Sequence, residues 1–429
     1  MLPFCEDYLN DVTQDRVCNA TAPPTSKEAH GLRALVYPDI RNRIVAMPRP
    51  PRYHLLSLLS VGVWLILYAA PLSAQSLPEG APAALHQFET DLSKRTVDLS
   101  SLKAGQRKDG IPSIDDPSFV SVSDAQGWIA PEEPVILVEH EGVARAYPLQ
   151  ILTWHEIVND RLGETPVAVT FCPLCYSAIA FRRVIEGEPV SFGVSGLLRK
   201  SDLVMYDRRT ETLWQQFTGE GIVGTHAGDT LETIPSQIVA FRQFAAAHPN
   251  AQVLSRDTGH DRPYGRNPYA GYDDIDKQPF MFDGPEDGRL PPMAKVIGVT
   301  VEGHTRAYAH DTTREQRVVH DTLAAQPLVI FHAPGAVSAL DARQIRRSKD
   351  VGSTGVFDRR VADRTLTFEY AGDGRYTDEQ TGSTWTVTGQ AVNGPLEGTQ
   401  LSRLSHGDYF AFAWFAFRPN TTLYGASRP

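Results

Sequence analysis

The feature that most constrains this chain is a diverged internal repeat. EGVARAY at 141–147 returns as EGHTRAY at 302–308, an offset of 161. At the same offset PVAVTFCPLCYSA (166–178) lies over PLVIFHAPGAVSA (327–339). The offset then grows to 171, and MYDRRTETLW (205–214) lies over YTDEQTGSTW (376–385). GTHAGDTLETIPS (224–236) resembles GPLEGTQLSRLSH (394–406), and HPN (248–250) matches RPN (418–420). Unrelated segments do not keep their order with so little drift. The expectation is two copies of one unit, each about 120 residues long.

Each copy reads as a strand pair, a short helix and a series of short strands. PVILVEHEG and VARAYPL supply the pair. ILTWHEIVNDRL carries Ile151, Trp154, Ile157, Val158 and Leu162 near helical spacing, which predicts a helix. PVAVTF, SAIAFRR, VSFGVSG, LVMYDR and LWQQFTG follow as strands cut by Gly and Asp. IVAFRQFAAAH closes the copy as a helix. The fold class expected is α+β, mainly antiparallel β, with two diverged copies in a pseudo-twofold arrangement.

The domain layout follows. Residues 75–130 form a lead-in, 131–255 copy one and 293–429 copy two. Between the copies, 256–292 is rich in Gly, Pro, Asp and Tyr and has no periodicity, as linkers, lids and binding loops do. Asp273, Asp274 and Asp276 lack the spacing of a calcium-binding EF-hand and read as solvated turn carboxylates.

The first 74 residues read as addressing. The apolar run Leu55–Ala70 is shorter than the roughly 20 residues a membrane-spanning helix needs. Arg49, Arg52 and His54 precede it, and small residues follow before Gln75. This pattern predicts a signal peptide over 47–74 and a periplasmic or secreted protein. Residues 1–46 are then an over-long gene model or a disordered tail, with Met47 the true start. The alternative is an anchor at 55–70, the chain's one expected link to a membrane.

Composition excludes several classes. Forty-one Lys and Arg against 51 Asp and Glu give a net charge of −10, the wrong sign for a nucleic-acid surface. The sequence holds no P-loop, dinucleotide-binding glycine motif, HExxH or GxSxG. No nucleotide cofactor is expected, and a small-molecule, metal or protein partner is left open.

HEIVND, VTFCPLC, SDLVMYDR, the GRNPYAGYD segment and TGSTW with GPLEGT together resemble the family catalogued as domain of unknown function 3179. The resemblance runs over about 100–425. It implies a bacterial or archaeal, often exported protein and no assigned activity. Some members resemble this chain in the first cysteine but lack the second.

Comparison of the two copies separates scaffold from chemistry. Arg145/Arg306, Tyr147/Tyr308, Asp160/Asp321, Asp207/Asp378 and Trp214/Trp385 are shared, and read as buried aromatics with capped turns. Cys172 and Cys175 instead face Ala333 and Ala336, His155 and Glu156 face Gln316 and Arg317, and Met205 faces Tyr376. Downstream of the addressing segment, Cys172 and Cys175 are the only cysteines.

A CxxC pair suits a metal site, a redox couple or a structural disulfide. Four-ligand structural zinc needs a second such pair, which is missing. Soft sulfur favours copper or zinc, so Cys172, Cys175, His155 and Met205 are the candidate metal ligands. Glu156 is a candidate for orienting His155 from behind. A thioredoxin-like couple wants a helix after the second cysteine, whereas YSAIAF reads as a strand. Ser195 lies in a glycine-flanked turn without a nucleophile pattern. The leading expectation is one soft-metal or thiol-redox site in copy one. The alternative is a non-catalytic ligand- or protein-binding or structural module, with Cys172–Cys175 as a disulfide staple.

Overall fold

Alternating and β-branched apolar runs make strand the dominant element. The computed structural model describes residues 77–426. Among the described residues strand takes 41% and helix 12%, and the sheets are mostly antiparallel. The expected signal peptide and the upstream segment lie outside the described residues. Among the described residues no helix is long and apolar enough to cross a membrane.

In the first half, β1 (Pro134–His140) and β2 (Val143–Pro148) form a hairpin, and α1 (Leu149–His155) follows. Next come β3 (Ile157–Leu162), β4 (Thr165–Cys172) and β5 (Ser177–Arg182), a second antiparallel sheet. β6 (Phe192–Arg199) and β7 (Asp202–Asp207) open a third with β8 (Leu213–Gln215) and β9 (Glu220–Val223). β10 (Ser236–Ala240) returns to pair with β1, and α2 (Phe241–Ala247) follows it.

The second half begins with β11 (Lys295–Val301), β12 (His304–Ala309) and α3 (His310–Gln316). β13 (Val318–Leu323), β14 (Gln326–Ala333) and β15 (Ser353–Asp358) form a three-stranded sheet. β16 (Phe368–Gly372), β17 (Arg375–Asp378), β18 (Thr384–Thr386) and β19 (Ala391–Asn393) form the next. β20 (His406–Phe410) pairs with β11, and α4 (Ala411–Phe417) follows.

One expected helix is shorter than its periodicity suggests. The helical pattern of 151–162 stops at His155, and Ile157–Leu162 is strand. Glu156 ends the helix with φ 59°, ψ −31°, outside the right-handed region. The β-branched Ile157 and Val158 then pair with Thr170 and Val169, where such side chains pack best.

β7 shows how the sheets pack. Leu203 and Met205 join the main core, whereas Val204 and Tyr206 join a second core. The lead-in supplies that second core's other wall, through Leu85, Phe88, Leu99 and Leu102. Strand side chains alternate between faces, so a strand buried on both reads as the near-continuous apolar run LVMY.

The shared residues are scaffold. Asp160 accepts from Arg145 Nη1 at 2.7 Å and from the Tyr147 hydroxyl at 2.6 Å. Asp321 accepts from Arg306 and from the Tyr308 hydroxyl, the latter at 2.7 Å. Trp214 Nε1 donates to Asp207 at 3.0 Å, and Trp385 Nε1 donates to Asp378 at 2.9 Å. Each tryptophan carries its one polar group into the core, where it needs an acceptor.

Candidate functional site

Cys172 ends β4 and pairs across the hairpin with Ser177 at the start of β5. Pro173 to Tyr176 make the connection. Tyr176 closes it with φ 56°, its amide donating to Pro173 O at 3.3 Å. The CxxC pair therefore sits on a β-hairpin loop, not at a helix N-terminus. Thiolate stabilisation by helix amides, a route to reactive cysteine, is missing.

The loop is held from outside. Phe410 N–H donates to Cys175 O at 3.0 Å. The Tyr272 hydroxyl donates to Leu174 O at 3.3 Å. The rings of Tyr176 and Tyr272 each pack near Phe410, at 5.7 and 5.9 Å between centroids.

Asp202 completes the group. β6 and β7 meet in a two-residue turn, Lys200-Ser201, with φ 52° and 66°. Both are positive, as the tight hairpin turns that match strand twist require. The turn puts Ser201 O within 3.5 Å of Cys175 Sγ and sets Asp202 beside the sulfurs. Both sulfurs and an Asp202 carboxylate oxygen lie within 4.8 Å of one another, all buried. Asp202 Oδ2 accepts from Gln215 Nε2 at 2.6 Å and from Phe217 N–H at 3.0 Å. Its Oδ1, also buried, has no nitrogen or oxygen donor among the described residues; the Cys172 and Cys175 thiols are the donors that face this carboxyl.

Glu156 adds a second buried carboxyl, near enough that its charge acts on Cys172 and Asp202 acts on it. Its Oε1 accepts from the Tyr269 hydroxyl at 3.4 Å. Neither carboxyl has an ion-pair partner among the described residues. Arg199, whose charge reaches Asp202, gives its guanidinium to Gln215 Oε1 at 3.3 Å.

Burial without a partnering cation governs the titration. It pushes Asp202 up to about 6 against the hydrogen bonds from Gln215 and Phe217. It pushes Glu156 up to about 8 against the bond from Tyr269. It raises both thiols, Cys175 well above its ordinary value. Low-dielectric surroundings disfavour each ionised form.

The expected ligands divide. Cys172 and Cys175 meet, with Glu156 near. Both cysteines are free thiols in this structure. Buried at 0% exposure, His155 does not join the sulfur group, because both ring nitrogens are engaged. Nδ1 lies 2.7 Å from Pro112 O and Nε2 lies 2.6 Å from the Tyr264 hydroxyl. A carbonyl only accepts, so Nδ1 carries the proton and Nε2 accepts from Tyr264. Burial, its largest cause, holds His155 down to about 4. Met205 is fully buried in the main core, opposite Val194 and Trp214 on neighbouring strands. Ser195 lies inside β6, at the register shift between Val194 and Leu198 and not in the expected turn, its hydroxyl donating to Val204 O and accepting from Leu197 N–H.

Asp273 departs from its expected solvated state. It is buried between Lys295 at 3.6 Å and Lys349 at 3.2 Å, with Ser338 donating to it. Asp274 and Asp276 are exposed.

Two sulfurs, two carboxyls and a fold spanning nearly every described residue can be set against known proteins. The profile described as Protein of unknown function (DUF3179) matches residues 108–421. The chain belongs to the DUF3179 family. Neither the curated proteins nor the solved structures contain a match to it. The DUF3179 match takes in every residue of the sulfur–carboxylate group, and it assigns no activity.

Proposed function

We propose that this DUF3179 chain binds one soft or borderline divalent cation, zinc before copper, through Cys172, Cys175 and Asp202. The observation that carries this reading is a buried donor set, two sulfurs and a carboxylate oxygen within 4.8 Å, with no ion-pair partner among the described residues. Asp202 Oδ1 has no nitrogen or oxygen donor among the described residues, and the donors that face the carboxylate are the two thiols themselves. A divalent cation would ionise the thiols and pair that oxygen at once. Thiolates with a carboxylate suit zinc. Copper(I) favours an all-soft set, and His155 and Met205 do not supply one. Three protein ligands leave the fourth tetrahedral position to a water or a further ligand.

Thiol redox chemistry is the second reading. It is favoured by the export signal read at 47–74, since exported cysteines tend to pair. Against it stand the raised thiols, because the thiolate is the reacting species. The addressing segment also supports a periplasmic or secreted location, and the net charge of −10 supports a partner other than nucleic acid. We also read the two halves as diverged copies in pseudo-twofold arrangement. The paired Arg–Asp–Tyr and Asp–Trp contacts support this.

A competition titration with a chromophoric zinc chelator tests the metal reading. The expected result is about one zinc per chain, lost in Cys172→Ser and weakened in Asp202→Asn, with far-UV circular dichroism unchanged. Uptake that persists in Cys172→Ser contradicts it.

A further inference from the structure

Arg418 places a cationic side chain at the edge of a cleft between two sheets. It follows α4, its amide bonded back to Trp414 O at 2.8 Å. Among the described residues its side chain has no ion-pair or hydrogen-bond partner, and its Nε is buried. A buried guanidinium N–H without an acceptor is costly, and an oxygen acceptor brought into the cleft removes that cost.

The surroundings of Arg418 point to the kind of acceptor. The cleft it lines, of about 70 Å³, lies between the first-half sheet that carries β5 and the second-half sheet that carries β11 and β20. Thr218, Thr233, Thr300, Ser405 and Tyr409 line it too. The hydroxyls of Thr233, Thr300 and Ser405 have no hydrogen-bond partner among the described residues. No Asp or Glu lines the cleft, although acidic residues outnumber basic ones in the chain, 51 to 41. One arginine, His406, hydroxyl donors and no carboxylate make a lining that suits an anion. Arginine's planar fork matches the geometry of carboxylate and phosphate oxygens. A water needs roughly 10–15 Å³, so the cleft admits a group of about five to seven water-sized atoms.

We propose that this cleft binds a small oxyanion, a carboxylate or phosphate group, on the Arg418 guanidinium with cleft hydroxyls donating alongside. No cleft side chain belongs to the sulfur–carboxylate group, and Phe217, which lines the cleft, meets Asp202 only through its backbone N–H, so the inference does not depend on a metal there.

Isothermal titration of the full chain at fixed ionic strength tests it, with acetate in one arm and inorganic phosphate in the other. The expected result is one saturable site for at least one of the two anions. The arm that saturates more tightly identifies the class. Arg418→Gln should weaken binding about tenfold or more, the loss of a charged hydrogen bond. Arg418→Lys should fall between, keeping the charge and losing the fork. A crystal soaked in the tighter anion should place it on the guanidinium. Saturation by neither anion, equal affinity in Arg418→Gln, or an anion bound elsewhere overturns the proposal. Should Arg418→Gln fail to fold, Thr300→Val with Ser405→Ala carries the test: weaker binding supports it, and unchanged binding overturns it.

Discussion

Phe410 N–H donates to the carbonyl oxygen of Cys175 at 3.0 Å, so a strand of the second half holds the cysteine loop of the first. Phe410 is fully buried, and its ring lies against Tyr176 and Tyr272. Removing that ring opens a cavity under the loop. Phe410→Ala should cost about 3–5 kcal/mol in a urea titration. The same variant should label faster at Cys172 and Cys175 with a thiol reagent under native conditions. Unchanged labelling with lost stability would mean that the loop holds itself.

The two Asp–Trp contacts predict matching losses. Asp207 accepts from Trp214 Nε1 and from Thr210, and Asp378 accepts from Trp385 Nε1 and from Thr381. Asp207→Ala and Asp378→Ala should each lower stability by at least about 1–3 kcal/mol, because each leaves a buried indole N–H unpaired. Denaturant midpoints that differ widely between the two would contradict equal roles.

The thiols should titrate late in the metal-free chain. Burial raises both, and a thiol–thiol hydrogen bond within the pair favours the Cys172 thiolate only partly. Thiolate absorbance against pH should rise above the ordinary cysteine range, about 8.5. A thiolate present at neutral pH without metal would favour the redox reading instead.

His332 predicts part of the acid sensitivity. It is buried, its Nδ1 within 3.0 Å of the Thr313 hydroxyl. Burial first, and then His310 nearby, hold it down to about 3. The unfolded chain binds this proton near 6.5, the folded chain only near 3. The contribution is therefore complete above about 6.5 and is lost as pH falls from there towards 3. His332→Asn should flatten stability against pH by up to about 1.4 kcal/mol per unit between roughly 6 and 4. An unchanged slope would place the proton elsewhere.

How much of this was legible depended on how local the cause was. The strand-loop-strand setting of CxxC could be read because β-branched and apolar runs flank it directly. Trp214 and Trp385 could be read as scaffold because each partner aspartate lies seven residues away. Asp202 does not stand out when the two halves are aligned, for a specific reason. At the offset of 171 it faces Asp373, so the residue types agree. What differs is burial: Asp202 is buried and Asp373 is exposed. A signal existed, an acidic residue directly ahead of the apolar run LVMY. His155 pointed to a ligand by its neighbours in sequence, yet its partners come from residues 112 and 264. The tyrosines of 256–292 have no periodicity to read, and their targets Glu156 and Leu174 are set by tertiary packing.

X-ray absorption at the zinc edge, on the chain loaded with one equivalent of zinc, tests the central claim most directly. The account predicts two sulfur scatterers at about 2.3 Å and oxygen at about 2.0–2.2 Å. The sulfur signal should vanish when both cysteines are replaced by serine. A shell of oxygen and nitrogen alone in the unmodified chain, or no zinc retained, would contradict it.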